Sequence, residues 1–165
     1  MAASREPGRA LVIVGHGLRT RTVEGPLSAG AVATLTEVVS RRYRCRACAA
    51  ILVVLPRGVG RGYRYTLSAI AWALALWGSE RAPAAQVRAR TSTALTVGAS
   101  SAHRWASLPR WTRCALGLFG VAAYEHGTMR QRASTIASFV AAHAPIATGR
   151  VSVDAFCGAA FCPSR

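Results

Sequence analysis

The spacing of apolar residues changes character once along this chain. Up to about residue 58 they come in short β-branched runs; from Tyr65 onward they recur three and four positions apart. "ALVIVGHG" (10–17) predicts a short strand ending in a glycine-flanked turn, and "LRTRTVEG" (18–25) alternates as a second strand. "PLSAGAVAT" (26–34) carries Pro, Ser and Gly and predicts a loop. "LTEVVSRRYRC" (35–45) and "AAILVVLPRG" (49–58) are β-branched runs joined by a Cys-x-x-Cys, which would form the tight tip of a hairpin. "RGVGRGYRY" (57–65) reads as a basic, glycine-rich linker.

Helical spacing then takes over. Thr66 can cap a helix through about Ser79, with Leu67, Ile70, Leu74 and Trp77 on its apolar side. Pro83 suits the first turn of a second helix (83–93), carrying Val87 inward and Arg88 and Arg90 outward. "TVGAS" (96–100) predicts a turn. Ser100 can cap a third helix (101–108) that turns Trp105 into the core, and Pro109 starts a fourth that ends at Gly120. "TMRQRASTIASFVAAHA" (128–144) is amphipathic through Met129, Ile136, Phe139 and Val140. The tail "VSVDAFCGAAFCPSR" alternates like a strand without a clear assignment. The expected fold is α+β: a polar, disordered segment 1–9, a small antiparallel β module 10–58, a helical region 59–127, and a C-terminal helix and tail 128–165. The β module has too thin a core to fold well alone, the usual circumstance for a metal staple.

Charge sharpens the picture. The chain has 21 basic residues, all Arg, against 6 acidic ones, for a net charge of +15. The lack of Lys, with high Ala and Gly, fits a GC-rich genome, so the choice of Arg over Lys carries no weight. The charge itself favours a polyanionic partner through phosphate contacts that release counterions. The carboxylates Glu6, Glu24, Glu37, Glu80, Glu125 and Asp154 are scattered. Two-metal phosphoryl chemistry needs several carboxylates converging on its ions, which argues against a self-sufficient nuclease or recombinase. His103, His126 and His143 have no nucleophile nearby in sequence, and Asp154 beside Cys157 is a weak pair; no enzyme is expected.

Five Cys and an N-terminus without a signal peptide's long apolar run suggest a reducing cytoplasm, where Cys-x-x-Cys points to metal or redox before a disulfide. Cys45 and Cys48 would supply two of the four ligands of a structural zinc. His16 is the single soft ligand upstream, and Cys157 and Cys162 could contribute only if the tail folds back. "YTLSAIAWALALWG" (65–78) is short for a membrane span and better suited to a buried helix. Three helices with a Gly-containing turn before the third form a helix-turn-helix pattern. In it Ser100, Ser101, His103 and Arg104 would face base edges, while Arg88, Arg90, Arg110 and Arg113 would hold phosphates. Separately, Arg41, Arg42, Arg44, Arg46, Arg57, Arg61 and Arg64, interleaved with Tyr43, Tyr63 and Tyr65, resemble a phosphate-tracking surface with stacking partners.

Taken together, "GHGLRTRTVEG", "RRYRCRACAAILVVLPRGV", "RYTLSAIAWALALWG" and "SSAHRWASLPRW" resemble a family of uncharacterised bacterial proteins that look like the front end of insertion-sequence transposases. The likeness covers roughly residues 10–115. It implies an N-terminal zinc-ribbon-like module followed by a helix-turn-helix, DNA binding without a catalytic domain, and in some members a transposon remnant. The family pattern carries an earlier Cys-x-x-Cys just before "GHG"; here that region is "GRALVIV", so the ribbon is degenerate. The expected function is non-enzymatic binding of duplex DNA, with zinc as the cofactor the resemblance implies and no small-molecule substrate. Two alternatives stand beside it: a basic RNA-binding protein using the 41–65 Arg/Tyr surface, and a small helical partner-binding or membrane-associated protein using 65–78.

Overall fold

Leu67–Gly78 is helical and buried on every side, and the rest of the helical part is built around it. In the computed structural model, which describes residues 12–93, 105–122 and 126–163, this segment is helix α1. Thr66 takes an extended conformation and its hydroxyl accepts from the Ala69 amide at 3.1 Å, capping the helix as its sequence predicts. Ala69 through Ala75 are at most 5% exposed. A helix that is apolar all round belongs at the centre of a core. Among the described residues, no helix is long and apolar enough to cross a membrane.

The described residues form α+β secondary structure: a three-stranded antiparallel sheet, then six helices. The strands are β1 (Ile13–Pro26), β2 (Ala33–Cys45) and β3 (Ile51–Val54), in that spatial order. After α1 come α2 (Ala84–Thr91), α3 (Ser107–Arg113), α4 (Ala115–Phe119), α5 (Met129–Ala141) and α6 (Val151–Gly158). The chain divides into two compact units, Met1–Thr22 with Glu37–Pro56, and Val23–Thr36 with Arg57–Arg165. Strands β1 and β2 each contribute residues to both, so the boundary does not follow the expected one at residue 58.

In the second unit α1, α5 and α6 pack against one another. Small residues set the spacing. A Cβ on Gly78 would lie 2.4 Å from the Ser134 amide nitrogen, and one on Gly158 would lie 2.1 Å from the Val140 carbonyl oxygen. Helix α5 starts with a capping box: Gln131 N donates to the Thr128 hydroxyl at 3.2 Å, and Thr128 N donates to Gln131 Oε1 at 2.7 Å. The tail, expected to alternate as a strand, is helical in α6. Asp154 accepts from the Thr148 hydroxyl at 2.7 Å, the Thr148 amide at 2.8 Å and the Gly149 amide at 3.1 Å, which fixes the turn that leads into the helix. Those bonds hold the Asp154 carboxyl below its ordinary range.

Two further expectations change. The described part of 10–17 and the segment 18–25 form one strand, β1, which continues through Gly17 at φ 90° rather than turning there. Pro109 does not start a helix. It sits in the first turn of α3, where its missing N–H leaves no gap in the hydrogen-bond ladder. The third helix expected over 101–108 falls largely outside the described residues; Trp105 and Ala106 precede α3.

A buried polar network ties the end of β1 to the segment before α1 and the end of α2. Glu24, fully buried, accepts from Ser92 Oγ at 2.7 Å, from Thr93 Oγ1 at 3.0 Å and from the Thr93 amide. Arg64 Nε lies 2.7 Å from its other oxygen. Tyr65 donates to Ser92 Oγ at 3.0 Å and stands edge-on to Trp111 and Trp105, at centroid distances of 5.1 and 5.8 Å.

Candidate nucleic-acid interface

The first unit is built on β2 and β3, with the outer part of β1. β2 pairs antiparallel with β3 in the register Arg41 to Val54, Arg42 to Val53, Tyr43 to Leu52 and Arg44 to Ile51. Alternate residues of a strand face opposite sides. One face therefore carries Arg41 and Tyr43 with Val54 and Leu52; the other carries Arg42 and Arg44 with Val53 and Ile51. The hairpin tip closes through two backbone hydrogen bonds of 2.9 Å, Ala49 N to Cys45 O and Cys45 N to Ala50 O. Ala49 takes φ 59° to complete the turn. The knuckle shape is thus held by backbone hydrogen bonds.

Strand β3 does not bury its apolar residues. Ile51, Leu52, Val53 and Val54 are 42%, 41%, 45% and 56% exposed. Burial of β3 is therefore not what holds this hairpin. Arg19, Arg41, Arg44 and Arg46 are exposed and Arg42 is half-buried. Among the described residues of this unit Glu37 is the single carboxylate, and none of those five arginines makes an ion pair. Elsewhere Glu24 and Asp154 are buried with their charges satisfied internally. The surface is therefore more positive than the composition alone implies.

Comparison with protein-family models, with curated proteins and with solved structures finds no match for this chain. The interface has to be judged on its own residues.

The other expected site residues separate. Ser100, Ser101, His103 and Arg104 lie outside the described residues. Arg90 on α2 and Arg110 and Arg113 on α3 are exposed, as a phosphate contact requires. Arg88 is half-buried, and its Nε is shielded from solvent without a hydrogen-bond partner, so it is not the outward-facing contact expected. Arg90 also borders an open cleft of about 390 Å³, lined with Gly30, Ala31, Val32, Trp72 and Ala89. Among the described residues its lining has one guanidinium and no nucleophile, acid or base.

The residues of the Arg/Tyr surface expected over 41–65 divide between the two units. Tyr65 is packed on two tryptophans and Tyr63 lies against the helical core, so neither ring is free to stack on a base. Arg64 holds Glu24, and the Arg57 guanidinium lies over the Phe161 ring. Tyr43 alone remains among the arginines. Arg19 and Arg21 on β1 were missed; their alternation in "LRTRT" was the available signal.

Cys45 is buried and Cys48 half-buried. Two thiols are half of zinc's tetrahedral set. Among the described residues, no group of three or more His, Cys, Asp or Glu could hold a metal. The described residues therefore do not fit a structural zinc. His16 is exposed on β1, and Cys157 and Cys162 belong to the helical unit. Burial pushes the Cys162 thiol up to about 11, which makes it an inert core residue.

Proposed function

We propose that this chain is a non-enzymatic nucleic-acid-binding protein acting on duplex DNA, in the manner of the recognition modules of insertion-sequence transposases. One observation carries the proposal: an exposed sheet and hairpin tip with Arg19, Arg41, Arg42, Arg44 and Arg46, in a unit whose single carboxylate among the described residues is Glu37. Burial of Glu24 and Asp154 removes two carboxylates that would otherwise compete with phosphate. Arg90, Arg110 and Arg113 supply further exposed cations in the helical unit. In a helix-turn-helix, Ser100, Ser101, His103 and Arg104 would carry base readout and the flanking arginines would set the register on the backbone. The RNA alternative loses support, because two of its three tyrosines are packed away.

The test is a filter-binding titration of duplex DNA, single-stranded DNA and RNA at several salt concentrations. Five sheet arginines on phosphate would give a log–log salt slope of about −4 to −5. No salt-dependent affinity for any nucleic acid at low salt would sink the proposal.

A further inference from the structure

The two faces and the edge of the sheet differ in chemistry, and that difference has a direction. Arginines stand on both faces of β2: Arg41 on one side, Arg42 and Arg44 on the other. A surface meant for a flat or one-sided polyanion needs cations on one face only. Beyond β2 lies β3, the terminal strand of the sheet among the described residues, with four exposed apolar side chains and no charge. Cations on two flanks and an uncharged leading edge match a cleft with two anionic walls and a neutral floor.

We infer that the β2–β3 ribbon enters the major groove of B-form DNA edge-first, with β3 against the base edges and the arginines of β2 gripping the phosphates of both strands. This rests on the nucleic-acid reading above and specifies its target. The dimensions agree. The groove is about 12 Å wide and about 8.5 Å deep. A sheet with side chains on both faces is about 10 Å thick, and adjacent strands are about 4.8 Å apart. β3 then reaches the floor while β2 stays at the level of the walls. Its 4 residues, at about 3.4 Å each, cover about four base pairs. The outer backbone edge of β3 offers N–H and C=O groups to base edges, and Ile51, Leu52, Val53 and Val54 suit the C5-methyl group that thymine presents there. A-form RNA has a deep, narrow major groove closed to such an element.

The experiment uses the full chain and fluorescence anisotropy at low salt. Four ligands share one AT-rich sequence of about two helical turns: the DNA duplex, the same duplex with uracil for thymine, the RNA duplex, and the DNA duplex with its minor groove filled by distamycin. The expected order is DNA tighter than RNA duplex by at least about tenfold. Uracil substitution should weaken binding by about threefold or more, since each buried methyl carries that much. Distamycin should leave affinity unchanged. Val53→Ser should reduce the thymine–uracil difference and keep the salt slope. Equal affinity for the RNA duplex, no thymine–uracil difference, or displacement by distamycin overturns the docking and leaves the nucleic-acid reading standing. No binding to any of the four removes both.

Discussion

Replacing Glu24 with Gln tests the network that joins the base of β1 to the helices. Gln keeps an acceptor for Ser92 Oγ and for the amide and hydroxyl of Thr93, and it loses the charge. Hydrogen bonds to a charged group contribute about 1.5–3 kcal/mol and neutral ones about 0.5–1.5. The difference is about 1 kcal/mol per bond, hence about 3 kcal/mol for the three donors on one oxygen. The Arg64 side chain is 62% exposed. Solvent screening limits its ion pair to at most about 1 kcal/mol. A total of about 3–4 kcal/mol lowers Tm by about 6–15 °C in a chain of this size. Burial pushes the Glu24 pKa up, but the bonds from Ser92 and Thr93 and the charge of Arg64 outweigh it and leave it below the ordinary 4.5. A carboxyl whose folded pKa is depressed stabilises fully above its unfolded value and stops doing so as pH falls through the folded one. Thermal melts followed by circular dichroism should show the full gap between wild type and Glu24→Gln at pH 7, narrowing below about pH 4.5. A gap under about 2 °C at pH 7, or one that stays constant as the pH is lowered, would refute the account.

Gly158→Ala should cost about 1–3 kcal/mol in urea unfolding, because the new methyl meets backbone rather than a movable side chain. An unchanged midpoint would mean that α5 and α6 separate without penalty. Thr128→Ala removes half of the capping box and should lower stability by about 1 kcal/mol, with Thr128→Ser retaining most of it. In DNA titrations, the double change Arg42→Ala with Arg44→Ala should reduce the salt slope by about two. The same double change should leave the melting curve of the helical unit where it was.

Local signals read from the sequence carried as far as their partners were near in the chain. α1 was legible because Thr66 and an uninterrupted apolar run need only each other and a core. α6 was not, because its start is fixed by Asp154 reaching back to Thr148 and Gly149, and its alternating apolar residues look the same in either period over so short a stretch. Pro109 misled because its effect depends on where in a helix it falls. For the candidate site, the arginines of 41–46 were plain, but their division between two faces needed the β2–β3 register. Glu24 looked like one more scattered acid. Its donors come from residues 64, 92 and 93, and no spacing rule joins positions so far apart.

An uncharged strand left open on its outer edge is a template for another strand. In two copies of this chain, the arginines beside β3 repel one another and hold such edges apart. That repulsion reaches about 10 Å at 0.1 M salt and only about 3 Å at 1 M. Under the proposed function ionic strength therefore acts twice in the same direction: it would free the sheet from phosphate and it lowers the barrier to self-association.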